Sequence, residues 1–506
     1  MFEYALSFMI FLPILAGLIL FVLPVGDRAA RGIGFAVSLV VLLLGIELFL
    51  GFSGVGGMQY AENRPWIESL GIRYSLGVDG ISLLVLMAGA ILYSMVFTVF
   101  ATRRKGFYAN LLLTQGAMLG AVCAVDMVLF YIFWEIMLLP VFFMIGLYGG
   151  EKRLAATLKI TLYTISGSLL MLAALVYVAV SYQQFGKWTF DIVELSNLQL
   201  GGGFAILAFL MFMVAFAIKI PLFPFHTWLP DAYCEAPSST TFVLSAIMAK
   251  IGVYGVIRFV VPIFEPELAR FAVLLSLAGV AGMIYCGLAA IAQKDMKRML
   301  AFSSASHMGI IALGVFCQNV QALIGTLFQI AAHATSTGVL FLFIGLMEER
   351  RQSREIADFG GIAYRAPVFA TFFAIAMLAS VGLPGTSGFI GEFLIILGAI
   401  EFSGFIGFLA GTSLVVGVCY MLWMFQRVFF EKPREDCQPF TDLTLTEALT
   451  FLPVMALILG MGIFPNAFIA KIEPTAQTYT PVQQAVVAEM TATSPRPMVV
   501  LSEHKN

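Results

Sequence analysis

Stretches of about twenty apolar residues follow one another along almost the whole chain, and that repetition leaves few folds open. A bilayer core takes about 20 residues of helix. Stretches of that size fall near 4–24, 32–52, 80–102, 107–125, 127–148, 155–180, 203–224, 239–261, 271–292, 299–317, 321–346, 367–398, 403–427 and 446–468. The expected fold is an all-α polytopic membrane protein with about fourteen transmembrane helices. Hydrophobic residues make up 60% of the 506, far above the share in a soluble domain. The net charge is only -2, with no basic tract to attract nucleic acid, so the lipid bilayer is the main surrounding.

The first Lys or Arg is Arg28, after the first apolar stretch, so the charged region that opens a cleavable signal is missing and the first stretch is expected to be a retained span. Six cysteines (Cys123, Cys234, Cys286, Cys317, Cys419 and Cys437) form no CxxC pair. Cluster and metal ligation need closely spaced thiolates, so no iron–sulfur, zinc or other metal site is expected, and no redox centre in this chain. Gly201-Gly202-Gly203 lacks the following Lys-Ser/Thr of a phosphate loop, and no nucleotide site is expected either.

Loop charge sets orientation, because Lys and Arg stay on the cytoplasmic side. Of the 28 Lys and Arg, seventeen lie in the odd-numbered loops, eight in the even loops, helix ends and tail, and three (Lys159, Lys219, Lys250) inside spans. Both termini are therefore expected in the periplasm, with the chain multi-pass in a bacterial inner membrane.

Spans seven and twelve carry helix breakers in their middles. Span seven runs through Lys219-Ile220-Pro221-Leu222-Phe223-Pro224-Phe225-His226, where each Pro removes an amide donor. Span twelve runs through Gly382-Leu383-Pro384-Gly385-Thr386-Ser387-Gly388-Phe389, and its full length as one helix would reach roughly 48 Å against a core of about 30 Å. The breaks lie five spans apart, so a repeat of five spans would be inverted in the membrane, and broken helices at matching places of inverted repeats point to an ion site. The expected divisions are 1–105 (helices 1–3), 106–262 (first repeat, helices 4–8), 263–430 (second, inverted repeat, helices 9–13), 431–470 (helix 14) and 471–506, a polar, disordered tail. Residues 54–79 read as an interfacial loop.

Full charges in such surroundings cost a few kcal/mol and imply a use. Glu135 sits in an apolar, aromatic run, where burial and a movable cation would switch it between holding and releasing a proton. Lys219 immediately precedes the break at Pro221 and, unlike an arginine, can titrate when desolvated. Lys250 lies midway along span eight, a second site for a hopping proton, and Glu392 follows the second break. His226, His307 and His333 lie in or at the ends of spans, and an imidazole passes a proton through its two nitrogens. Each of these has a structural alternative, a static ion pair or a satisfied hydrogen bond. Glu47, Lys159 and Arg258 lie near span ends, where they can snorkel to an interface, and Lys159 is also a possible partner of Glu135.

The run Lys219-Ile220-Pro221-Leu222-Phe223-Pro224-Phe225-His226-Thr227-Trp228-Leu229-Pro230-Asp231-Ala232 with Glu235-Ala236-Pro237, then Gln293-Lys294-Asp295-Met296-Lys297-Arg298-Met299-Leu300-Ala301-Phe302-Ser303-Ser304 and Ser306-His307-Met308-Gly309, resembles the antiporter-like subunits of proton-translocating NADH-quinone oxidoreductase, respiratory complex I. Among its three large antiporter-like chains, an acidic residue after the second break is similar to the M branch. The related subunits of multisubunit sodium/proton antiporters share most of these motifs and are the alternative. The resemblance implies a fourteen-helix fold with inverted repeats, Glu135 and Lys219 as a functional pair, Lys250 as the middle relay and Glu392 on the exit side. It also implies that FMN, iron–sulfur clusters and quinone belong to partner subunits, and that sister antiporter-like chains of the membrane arm lie alongside.

Overall fold

The computed structural model of the protein describes residues 3–54, 56–99, 104–198, 200–432 and 440–480. Among the described residues, twelve helices are long and apolar enough to cross a membrane. They are α1 (Ala5–Val22), α2 (Asp27–Gly51), α3 (Gly80–Val99), α4 (Lys105–Cys123), α5 (Met127–Tyr148), α6 (Arg153–Gln183), α9 (Ser238–Ile263), α10 (Glu265–Ile291), α11 (Met296–Phe316), α12 (Val320–Arg351), α15 (Gly404–Phe430) and α16 (Leu445–Ile463). The other two expected spans are the interrupted ones, and each is divided into shorter pieces: α7 (Gly203–Lys219) with α8 (Trp228–Glu235), and α13 (Pro367–Ser380) with α14 (Ser387–Phe402).

Burial divides the bundle into a centre and a periphery. The most apolar windows of α9 and α12 are 100% buried and that of α11 94%, whereas those of α2, α15 and α16 are only 28–33% buried. A polar side chain on the central helices therefore meets protein, while one on the outer helices meets lipid or a neighbouring chain.

Both interruptions have the same backbone form. After α7 the Leu222 N–H reaches back five residues to the Ala217 carbonyl at 2.8 Å, and after α13 the Leu383 N–H reaches back five residues to Leu378 at 3.0 Å. The carbonyl of Ile218, freed at the first break, accepts instead from the Trp228 indole at 2.9 Å. At the second break Gly382 and Gly385 take positive φ (72° and 92°), and a Cβ on Gly388 would lie 2.0 Å from the Ala379 carbonyl oxygen. Glycine is required there by the close approach of the two half-helices.

The span α9 departs from regular α-helix twice, with π-turns at Leu244–Met248 and Val256–Val260 on either side of Lys250. Such turns occur mostly at functional sites.

Three regions differ from the sequence expectations. Residues 54–79 are not a loop throughout: Gln59–Ile67 (β1) and Ile72–Val78 (β2) pair as an antiparallel hairpin. Gly71 at φ 66° makes the turn. The Asp126 carboxylate ties the hairpin to α5, accepting from Arg73 N–H at 3.1 Å and capping Val128 and Leu129 at 2.9 and 3.0 Å. The tail expected from residue 471 begins later, because Asn466–Thr478 forms a helix, α17. Its buried Ile472, Thr475 and Ala476 follow helical spacing, and Thr475 Oγ1 accepts from the Gly80 N–H at 3.1 Å. Residues 481–506 lie outside the described residues, as does Cys437. Finally, Arg258 does not snorkel. It is fully buried and makes a two-pronged pair with Asp79, both contacts 2.7 Å, with Tyr479 Oη at 2.7 Å and Tyr254 Oη at 3.1 Å completing its hydrogen bonds. A buried arginine needs this full set of acceptors, and Asp79 supplies the charged pair of them from the start of α3.

Candidate functional site

Lys219 ends α7 at the first break and is 3% exposed. Its Nζ stands 4.7 Å from the centroid of the Trp134 ring, a cation–π contact from α5. Glu135, the next residue, is half-buried beside the exposed Ile136 and Leu139, so it faces the outside of the bundle. It acts on Lys219 electrostatically, but among the described residues no oxygen of Glu135 comes within 4.0 Å of a cationic nitrogen. The two are near neighbours without a locked salt bridge.

Lys250 is 1% exposed on α9. Its ammonium donates to the Ser245 carbonyl, which the π-turn at Leu244–Met248 presents, and lies 2.6 Å from His333 Nδ1 on α12. The His333 ring stands 5.3 Å, centroid to centroid, from that of His307 on α11. His307 Nδ1 bonds the Ser303 carbonyl at 2.9 Å, and its Nε2 lies 3.5 Å from Glu392 Oε1 on α14. Glu392 Oε1 also accepts from Gln329 Nε2 at 3.0 Å. Among the described residues, His333 Nε2 and Glu392 Oε2 are buried with no protein partner. Four titratable groups from four helices thus form a continuous file, Lys250, His333, His307, Glu392, through the most buried part of the bundle. A buried polar atom without a protein partner is rare, and here one sits at the middle of the file and one at its end.

Lys219 stands apart from that file. A Cβ on Gly252 would lie 3.1 Å from the Lys219 Cβ, so α7 packs on α9 at Gly252. Gly252 and Lys250 are two residues apart, about 200° around a helix, so the two lysines meet different faces of α9. Nor does Glu392 mirror Lys219 in position: Lys219 closes the half-helix before its break, whereas Glu392 lies in the half-helix after the other.

His226 is not brought to the other histidines. It sits just past the first break with its ring 5.2 Å from Tyr285 and 5.5 Å from Phe223, and Tyr285 is 51% exposed at the outer surface. Lys159 pairs with Asp231 at 2.7 Å, not with Glu135, and Arg298 reaches the same carboxylate at 3.4 Å. Gln329 escaped the sequence reading because a single amide in an apolar helix carries no charge signal. Asp79 escaped it because it precedes α3 and reads as a loop acid.

A family model described as NADH:quinone oxidoreductase/Mrp antiporter, TM, matches residues 124–418. The chain belongs to this family. A relative from Rhodobacter capsulatus, NADH-quinone oxidoreductase subunit M, is 37% identical over 496 residues, covering 94% of this chain and 96% of the relative. A chain in the solved structure of respiratory complex I from Thermus thermophilus with bound NADH superposes with a TM-score of 0.87 at 35% identity, over 94% of this chain and 98% of that one. A chain of the Mrp complex from Dietzia sp. DQ12-45-1b, at 21% identity and a TM-score of 0.86, covering 96% of this chain and 99% of that one, shares the fold. In this member of the NADH:quinone oxidoreductase/Mrp antiporter family the matched stretch runs from the start of α5 into α15, so it contains both breaks and every residue of the buried file.

Proposed function

We infer that the chain is a proton-translocating membrane-arm subunit of an NADH:quinone oxidoreductase, in a bacterial inner membrane with both termini in the periplasm. The observation that carries the reading is the file from Lys250 to Glu392, in which consecutive groups sit 2.6 Å apart, ring against ring, and 3.5 Å apart. The names of relatives such as the Rhodobacter subunit support the same assignment.

The chain's own residues move a proton rather than electrons. A shift in a neighbouring membrane-arm subunit displaces Glu135, which faces outward beside Lys219, and the proton affinity of Lys219 changes with it. The altered charge at Lys219 biases Lys250 across α9. Lys250 Nζ then donates to His333 Nδ1, His333 releases from Nε2 toward His307, and His307 Nε2 hands a proton to Glu392. His333 takes a proton on Nδ1 as it gives one from Nε2, whereas His307, whose Nδ1–H stays bonded to the Ser303 carbonyl, takes the proton and passes it on at Nε2, so no net charge stays in the centre. Glu392 releases on the exit side from Oε2, beside Gly382 in the second break. FMN, iron–sulfur clusters and quinone belong to other subunits of the complex, which supply the driving electron transfer, and sister antiporter-like chains of the membrane arm lie alongside this one. Among the described residues no group of three or more His, Cys, Asp and Glu is placed to hold a metal ion.

Replacing Lys219 by Ala should sharply reduce proton movement coupled to quinone reduction while the complex still assembles; normal coupled pumping contradicts the reading. The shared Mrp fold sustains a second reading, a subunit of a cation/proton antiporter, and co-purification separates the two. Flavin and iron–sulfur subunits come down with a redox complex and are absent from an antiporter.

A further inference from the structure

Lys250 begins the buried file, yet no hydrogen bond joins it to Lys219, and its proton must come from elsewhere. A cavity of about 270 Å³ opens between α5, α8, α9, α11 and α12, at the end of the bundle where the loops are rich in Lys and Arg. Glu235, Ser238, Lys297, Glu348 and Arg354 line it. Arg354 is anchored, donating to the Cys234 carbonyl at 2.8 Å and pairing with Asp295 at 3.2 Å. Lys297 is different: it is 1% exposed, sits on the inner side of the cavity, and its Nζ donates to the Ala236 carbonyl at 2.6 Å with Glu348 as its principal charged neighbour. The mechanism above leaves this buried ammonium unused.

Three helices lead inward from the cavity, and each carries polar groups along the way. On α9, Ser238 at the cavity is followed by Thr241 and then Ser245, whose carbonyl accepts from Lys250. On α11, Lys297 is followed seven residues later, on the same face and about 10 Å deeper, by Ser304. Its Oγ lies 3.5 Å from that of Ser245. On α12, Glu348 touches Ser238 Oγ at 3.4 Å, and Thr337 lies one turn from His333. The hydroxyls of Ser239, Thr240 and Thr337 are fully buried and, among the described residues, have no protein partner. Hydroxyls both donate and accept, and buried ones left without protein partners require water.

We propose that this vestibule is the proton inlet of Lys250, with Lys297 taking up the proton from the aqueous side and the Ser304 and Ser245 hydroxyls carrying it inward. The inlet rests on the pumping function inferred above. In each cycle the Lys297 ammonium gives one proton to the hydroxyl and water line, the Lys250 amine takes one at its far end, and Lys297 regains its proton from vestibule water. Glu348 balances the charge at the mouth throughout. One proton enters for each that leaves through Glu392.

The test uses the intact complex in sealed vesicles and reads protons moved per electron passed to quinone, for Lys250→Met, Lys297→Met and Lys297→Arg. The inlet requires both Lys297 variants to lower the ratio as far as Lys250→Met does, because arginine keeps the charge and the bond to Ala236 but does not give up a proton. Recovery of the ratio in Lys297→Arg would make Lys297 a structural cation and overturn the inlet. So would a normal ratio in Lys297→Met beside a lowered one in Lys250→Met. A normal ratio in Lys250→Met instead overturns the pumping function itself. If Lys297→Met fails to assemble, Ser304→Ala combined with Ser245→Ala carries the same expectation, and an unchanged ratio in that double variant overturns the inlet.

Discussion

At the scale of single residues, the arginine and the lysines of this chain obey different rules. Arg258 is held by Asp79 in a fully buried two-pronged pair, and an arginine so placed does not exchange its proton. Its work is to hold α9, the start of α3 and Tyr479, just after α17, together. Breaking a buried pair by removing one partner costs about 3–5 kcal/mol, because the other charge is stranded. Asp79→Asn should therefore lower the thermal unfolding midpoint of the purified complex markedly, and Asp79→Leu with Arg258→Met should recover most of that loss. A midpoint unmoved by Asp79→Asn would show that the pair holds nothing. The mid-span positions of Lys219, Lys250 and Glu392 were legible in the sequence, since hydropathy locates a charge along a helix. Which way each points was not. For Lys159 the sequence left open a snorkelling role or a pairing with Glu135, but its ammonium turns to Asp231 beyond the first break, a direction that no one-dimensional pattern reports.

At the scale of elements, Pro221 and Pro224 marked one break, and Gly382, Pro384 and Gly385 the other. The sequence did not reveal that both return their backbone by a bond spanning five residues. It also gave no sign of the π-turns in α9 at Leu244–Met248 and Val256–Val260. The second break depends on Gly388, where any side chain meets the Ala379 carbonyl oxygen. Gly388→Ala should cost about 1–3 kcal/mol through overpacking and reduce the yield of assembled complex. Gly404→Ala, with nothing within 4 Å of the added carbon, should leave the yield unchanged. Equal yields for the two variants would contradict the tight crossing. The hairpin of β1 and β2 was read as a loop for its Gly, Pro65, Trp66 and mixed charge, and the last part of α17 as tail for its Pro, Thr, Ala and Gln; inward residues such as Leu76 and Ile472 are what the composition did not show.

At the scale of the molecule, the most buried helices carry most of the titratable file and the outer ones present large apolar side chains, as a chain embedded among lipid and neighbouring membrane subunits requires. The excess of Lys and Arg in the odd loops sets its orientation, so alkaline phosphatase fused after Thr480 should be active in the periplasm, and fluorescence of a green fluorescent protein at that point would place this end in the cytoplasm instead. Whether the buried file is the conducting path rests most directly on the imidazole at its centre. The decisive measurement is the number of protons moved per electron passed to quinone by the complex carrying His333→Phe, in sealed vesicles with quinone reduction followed in parallel. The path through Lys250, His333, His307 and Glu392 requires that ratio to fall while the assembled complex still reduces quinone, and an unchanged ratio would show that protons do not travel through it.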